Sequence, residues 1–329
     1  MFFGVPKKVL WVDTMKRKQS SSPSPPPLSQ GQQKKAKILE VESSIPALKF
    51  YSHIERDGKA LKLSQVFYDE HTDDFVKGVK YVLKKDPSLA ELVVGGPAFR
   101  VCLKEKATDI KTPEFYFETL ASGLISQQIS GKAAAAIKKR LVENVSADGE
   151  TFPLPSEFYS KKVEELRSFG LSMKKAEYVR RLAKAFMKDF SKEDLDEHVK
   201  FDDDYFKDVD DVSLRVDLER FKGVGPWSSS MFTMFAMERL DIFEPSDLGI
   251  RRGFTTYLKE RPKLKKEVEK LFNDGEIKRL KRKPNAAKEK YINDYELMNA
   301  VAHQFRPYRS IFMFILWRMS ETSVEALSK

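Results

Sequence analysis

The chain has 329 residues, a formal charge of +10 and a single cysteine, Cys102. That length suffices to bury a core in about one to three domains, and the basic balance suits an acidic partner, nucleic acid before an anionic membrane surface, or simply a charged exterior. One thiol excludes an intramolecular disulfide and any cysteine-built zinc or iron–sulfur centre, and no apolar run approaches the roughly 18 residues of a membrane span.

The opening MFFGVPKKVLWVD has too short an apolar run for a secretory signal. Residues 14–37, TMKRKQSSSPSPPPLSQGQQKKAK, hold almost no apolar side chains and cannot offset their ordering entropy, so residues 1–44 are predicted to be a disordered tail. Its basic clusters, Lys16-Arg17-Lys18 and Lys34-Lys35 with Lys37, suit a two-part nuclear-localisation signal, or serve only solubility. The folded domain is predicted over 45–325. Within 45–70 the pattern is ambiguous, and ALKFYSHIE could form a short strand. TDDFVKGVKYVLKKDPSLAELVVGG gives a Thr/Asp helix start, Phe75, Val79 and Val82 at helical spacing, then a proline-initiated helix ending at Gly95-Gly96. Cys102, between Val101 and Leu103, is expected to be a buried, inert thiol. KTPEFYFETLASGLISQQISGKAAAAIKKRLVENV gives two helices, one starting at Thr112-Pro113 and one capped by Ser130, separated by SQQ. KVEELRSFGLSMKKAEYVRRLAKAF is a second pair, broken at Gly170 and restarted by Ser172. Residues 259–290 are dense in Lys and Arg and are expected to be a basic, partly helical, solvated insertion that touches DNA phosphates or only water. YELMNAVAHQFRPYRSIFMFILWRMS closes the chain with a helix apolar on nearly every side, hence central to the core. No alternating strands joined by hairpin turns occur from 73 to 329, so the fold class is all-α.

The most informative stretch is LERFKGVGPWSSSMFTMFAMERLDIFEPSDLGIRRGF. Leu214, Leu218 and Phe221 mark one helix, and Trp227, Met231, Met234 and Phe235 mark the next. Gly223 and Gly225 permit positive φ and close backbone approach, and Pro226 suits the first turn of the second helix. The N–H groups of Gly223, Val224, Gly225 and the helix start at Ser228 can seat a phosphate; glycine turns of this kind also serve packing alone. Asp247 stands before LGIRRGF, where an aspartate is a good helix cap. The histidines His53, His71, His198 and His303 lack ligand spacing, and no nucleotide-phosphate loop, Ser-His-Asp set or flavin fingerprint is present.

LERFKGVGPW followed by DIFEPSDLGIRRGF resembles the helix-hairpin-helix, glycine/proline-rich, aspartate-bearing DNA glycosylases. Within that superfamily it is most similar to the alkyladenine glycosylases of yeasts and their bacterial relatives. FETLASGLISQQISGKAAAAIKKR, FGLSMKKAEYVRRLA and PYRSIFMFILWR match other segments, in order, over residues 73–325. The resemblance implies two helical subdomains flanking a base-binding cleft, and damaged double-stranded DNA as partner. It implies a duplex wedge at Gln128 in SQQIS, beside Gln127, where some relatives carry an apolar residue; the alternative for both is loop capping. Asp247 matches the catalytic aspartate, an ionised carboxylate that stabilises an oxocarbenium-like sugar and orients water. Trp227 and Trp317 match pocket aromatics that would hold a cationic base, although Trp317 also suits an ordinary core. Met231 and Leu248 stand where one bacterial branch has a tyrosine and another aromatic. Relatives that also nick the backbone carry a lysine directly after Gly225-Pro226; this chain has Trp227, so a monofunctional enzyme releasing alkylated purines such as 3-methyladenine and 7-methylguanine is implied. Competing readings are a non-catalytic DNA-binding module and a glycosylase-lyase for oxidised bases. No cofactor is required, while the carbonyls of Glu219, Phe221 and Val224 would hold a monovalent cation, Na+ or K+, at the hairpin. A nuclear, monomeric enzyme handing its product to an abasic-site endonuclease, away from any membrane, is expected.

Overall fold

The computed structural model describes residues 29–53, 63–94, 96, 98–107, 111–278 and 291–320. Among these the secondary structure is helical, and an isolated bridge pairs His71 with Leu103. In chain order the helices are α1 (Gln30–Ser43), α2 (Gln65–Glu70), α3 (Asp73–Lys85), α4 (Ala90–Val94), α5 (Lys104–Ala107), α6 (Pro113–Ser126), α7 (Gly131–Val145), α8 (Pro155–Ser160) and α9 (Val163–Ser168). They continue with α10 (Met173–Phe186), α11 (Asp203–Asp208), α12 (Asp211–Leu218), α13 (Pro226–Phe235), α14 (Leu248–Lys259), α15 (Pro262–Asn273), α16 (Tyr295–His303) and α17 (Arg309–Met319).

The starts follow the sequence signals. Thr112, Ser130 and Ser172 each accept a backbone N–H three residues on, and Gly170 sits at φ 110 where the chain turns between α9 and α10. Two expectations about the N-terminal part are corrected. Gln30–Ser43, expected within the disordered tail, forms a helix. A reciprocal cap between Ser29 and Gln32 starts it, and Lys34 pairs with Glu219 while Lys35 pairs with Asp210 at 2.6 Å, so two of the lysines assigned to a nuclear signal are engaged with the domain. Residues 1–28, with Lys16-Arg17-Lys18, lie outside the described residues. The candidate strand is a 3-10 turn at Lys49–His53, whose start is held by the Glu267 carboxylate accepting the Phe50 N–H at 2.7 Å.

The helices divide between two cores. One is built from residues of α3, α4, α14, α15, α16 and α17, with Met231 and Met234 from α13. The other gathers α6 through α12, with Phe232 and Ala236 from the opposite face of α13. These are two helical subdomains sharing one helix, and α13 begins at the glycine turn. As its composition requires, α17 is buried continuously from Ser310 to Trp317. It packs against α14 at Gly253, where a Cβ would meet the Leu316 carbonyl oxygen at 1.9 Å.

The basic insertion is also corrected in part. Within it α15 is a packed wall: Leu264 and Val268, four residues apart, are fully buried in the first core. Arg261 just before it is buried, with Nε 2.9 Å from Asp86 Oδ2 and its guanidinium 3.9 Å from the centre of the Tyr257 ring. The many lysines occupy the outer face and conceal that stripe in a composition count. Residues 279–290 lie outside the described residues.

Candidate active site

Three structural units meet at the seam between the cores: the hairpin from α12 to α13, the loop from α6 to α7, and the N-terminus of α14. In the hairpin, Gly223 adopts φ 93 and a Cβ there would strike Tyr178 at 2.6 Å and Leu124 at 2.8 Å. Gly225 caps α13, and an added Cβ would meet nothing within 4 Å, so this side of the turn is open. Pro226 occupies the first helical position, which leaves the backbone N–H groups of Trp227 and the half-buried Ser228 in the first turn, where helices have no internal acceptors. The arrangement can bind one phosphate through backbone alone. Val224 is buried beneath it. At the same turn the Phe221 carbonyl accepts the Val224 N–H at 3.0 Å, and the Glu219 carbonyl belongs to the C-cap of α12. Among the described residues no group of three or more His, Cys, Asp or Glu could hold a metal ion.

Asp247 is the N-cap of α14, and its side chain is held from three directions. Oδ1 accepts the Ile250 N–H at 2.9 Å and the Trp317 indole N–H at 2.8 Å, while Oδ2 accepts the Trp227 indole N–H at 2.9 Å. Capping takes up Oδ1 and leaves Oδ2 to the Trp227 indole, so the cap by itself does not exclude a chemical role for this carboxylate. Indole nitrogens only donate, so both rings address the negative oxygens through charge-assisted bonds. Arg251 Nε donates to the Ile292 carbonyl at 3.1 Å, and the Arg252 guanidinium lies over the Tyr291 ring.

The expected pocket walls separate into two pairs. Trp227 is 40% exposed and Leu248 48% exposed, and they flank the half-buried Asp247. Trp317 is 0% exposed, stacked 6.0 Å from Phe235 at 17°, and Met231 is buried in the same core. Of the two readings of Trp317, pocket aromatic and ordinary core, its burial fits the core one: the ring faces pack within a helix that is apolar all round while the indole N–H holds the carboxylate from behind. The wedge candidate Gln128 is exposed at φ 57, next to Ile129, which is also exposed. Gln127 is half-buried, and its Nε2 donates to the Gly223 carbonyl at 2.8 Å, joining the α6–α7 loop to the hairpin.

One site residue gives no signal in sequence. Glu244 is only 3% exposed; it accepts the Ser230 hydroxyl at 2.9 Å and the Ser246 N–H at 3.0 Å, while its carbonyl accepts the Asp247 N–H at 3.3 Å. It ties the segment before Asp247 to α13. Its neighbours in the sequence suggest nothing more than a loop carboxylate.

Away from the seam, Cys102 is buried and its thiol is pushed up to about 12 by that burial. His71 Nε2 accepts the Phe99 N–H at 3.0 Å, so Nδ1 donates to the Phe67 carbonyl at 2.9 Å and the ring is a neutral structural bridge.

Residues 121–275 match the profile described as HhH-GPD superfamily base excision DNA repair protein. A DNA-3-methyladenine glycosylase of Saccharomyces cerevisiae is 36% identical over 272 residues, covering 81% of this chain and 87% of that protein. DNA-3-methyladenine glycosylase 1 of Schizosaccharomyces pombe is 30% identical over 150 residues, 45% of this chain and 60% of that one. The crystal structure of a DNA-3-methyladenine glycosidase from Bacillus halodurans superposes with a TM-score of 0.48 at 24% identity, over 75% of this chain and 91% of the other.

Proposed function

From the premise that the chain belongs to the HhH-GPD superfamily of base excision DNA repair proteins, we propose that it is a monofunctional DNA glycosylase that hydrolyses the N-glycosidic bond of alkylated purines, 3-methyladenine and 7-methylguanine, in duplex DNA. The observation that carries this reading is the three-donor clamp on Asp247 beside an exposed indole, at the seam where α13 begins on a glycine turn.

Departure of the base builds positive charge on the deoxyribose. Asp247, fixed in orientation, stabilises that charge and orients the attacking water. A purine alkylated on a ring nitrogen already carries positive charge and leaves without a general acid, and the exposed Trp227 and Leu248 offer it an aromatic and an aliphatic face. Because a base in the stack is out of reach, the nucleotide must be extruded, with Gln128 of the loop filling the gap. Trp227 stands where a lyase would need an amine, so the product is an abasic site. A monovalent cation held by the carbonyls of Glu219, Phe221 and Val224 would offset the partial negative charge at the end of α12 near the phosphate. A monomer working on nuclear DNA, ahead of an abasic-site endonuclease, completes the reading.

The test is incubation with methylated duplex DNA, scoring released base and strand breaks without heat or alkali. Free base without breaks is expected; breaks would indicate a lyase, and neither product a binding module. Asp247→Asn keeps the shape and a capping oxygen, so it should lower single-turnover release by about 100-fold or more while DNA affinity changes little. Loss of binding with release per bound complex intact would remove Asp247 from the chemistry.

A further inference from the structure

A second constructed feature lies beneath the α6–α7 loop, away from the carboxylate. The backbone at Gln128, φ 57, is one that L-residues avoid unless their surroundings hold them there. Lys175, in the first turn of α10, supplies that hold. Its Nζ donates to the Ile125 carbonyl at 2.7 Å and to the Gln127 carbonyl at 2.6 Å, acceptors at the end of α6 that the helix itself leaves open. The same loop is tied to the hairpin by Gln127 Nε2 on the Gly223 carbonyl, and Gly223 in turn lies against Tyr178 of α10 and Leu124 of α6 with no room for a side chain. Helices α6 and α10 and the glycine turn thus close around one point, and the lysine grips the end of α6 that leads into the exposed pair Gln128 and Ile129.

We propose that Lys175 is the positioning residue for nucleotide extrusion, holding the 127–130 loop at a fixed offset from the phosphate-binding turn so that anchoring and insertion act as one rigid body. The inference rests on the glycosylase reading above. The physical argument is that unstacking a base must be offset by what the inserted loop gains in its place. A loop that yields forfeits that gain, while one that is braced keeps it. A positive charge between two carbonyls is an apt brace, because it satisfies both acceptors at once and opposes the partial negative charge at the α6 terminus.

Extrusion can be separated from bond cleavage by measuring single-turnover release of 7-methylguanine from two duplexes. In one the lesion is paired with cytosine; in the other it faces an abasic-site analogue, so much of the cost of extrusion is already met. In the full chain, Lys175→Met keeps the aliphatic stem and removes the donors. It should slow release from the paired duplex by about 10-fold or more and from the unpaired duplex by less than about 3-fold, with Lys175→Arg recovering most of the paired rate. A role confined to folding would depress both substrates in parallel, and that result, or no effect on either, overturns the proposal. If K175M does not fold, Gln127→Leu cuts the brace from the hairpin side, and the same paired-only loss is required of it. A wild-type chain that releases base from neither duplex would sink the glycosylase reading itself, an outcome distinct from an active wild type whose K175M variant shows no selectivity.

Discussion

A carboxylate that accepts from one backbone amide and two indoles has almost no freedom to rotate, and a fixed charge is worth more to a developing cation than a mobile one because nothing need reorganise during reaction. The Trp227 contact is the one that touches Oδ2 from the solvent side, and it can be removed without losing the ring. Trp227→Phe keeps an aromatic face for the departing base but no N–H, so single-turnover release should fall by roughly 10- to 100-fold while binding of abasic-site DNA stays within a few-fold. Equal rates for the two proteins would mean that the ring alone matters. At this scale the sequence is half legible. The cap position of Asp247 is written in the residues that follow it, whereas the exposure of Trp227, spaced with the buried Met231 and Met234, is seen only in the folded chain. That Trp317 stands behind the carboxylate was not readable, since the two are 70 residues apart and only the folded chain sets one indole against that oxygen. Glu244 was missed for the same reason: burial, not residue type, gives it a role.

Between elements, the contact of α14 with α17 decides whether Asp247 and Trp317 meet. Gly253 lets the two backbones touch, one turn and a half beyond the cap. Gly253→Ala forces its Cβ onto the backbone of Leu316, the residue directly before Trp317, and neither helix can yield locally. We expect a loss of about 1–3 kcal/mol in urea denaturation, accompanied by weaker base release because the helices separate. An unchanged midpoint would show that the helices accommodate the methyl group. Helix boundaries were legible here because Ser130 and Ser172 accept an N–H within their own turn and Pro226 fixes its own φ at a position that needs no N–H. The N-terminal helix was not. It adds no residue to either core, and what holds it are long-range ion pairs, Lys34 with Glu219, Lys35 with Asp210 and Glu42 with Arg306 and Arg309. Periodicity and composition carry no information about a helix stabilised in this way. In α15 the reverse error arose: lysines outnumber the stripe of Leu264 and Val268 that packs it.

Over the whole molecule, two histidines are expected to make stability depend on acidity. His71 is lowered from its ordinary pKa by burial first, with Arg318 adding and the Phe67 carbonyl and Glu70 opposing. His303 is lowered by burial first, then by Arg306 and Arg309, against Glu42 and Asp241. The unfolded chain takes up these protons near pH ~6.5, whereas the folded chain resists them to lower pH. Stability should therefore be fully present above about pH 6.5 and decline as pH falls through that value toward the folded pKa values, at up to about 1.4 kcal/mol per pH unit for each histidine. Urea midpoints that stay level from about pH 7.5 to 5.5 would eliminate both histidines as the cause. The two cores also differ in how they are threaded. The one under the hairpin and the α6–α7 loop closes within residues 116–236, whereas the one carrying the carboxylate waits for α17. A chain cut just short of that final helix would thus keep every residue of the core beneath the hairpin and lose the Trp317 donor that holds the carboxylate in place.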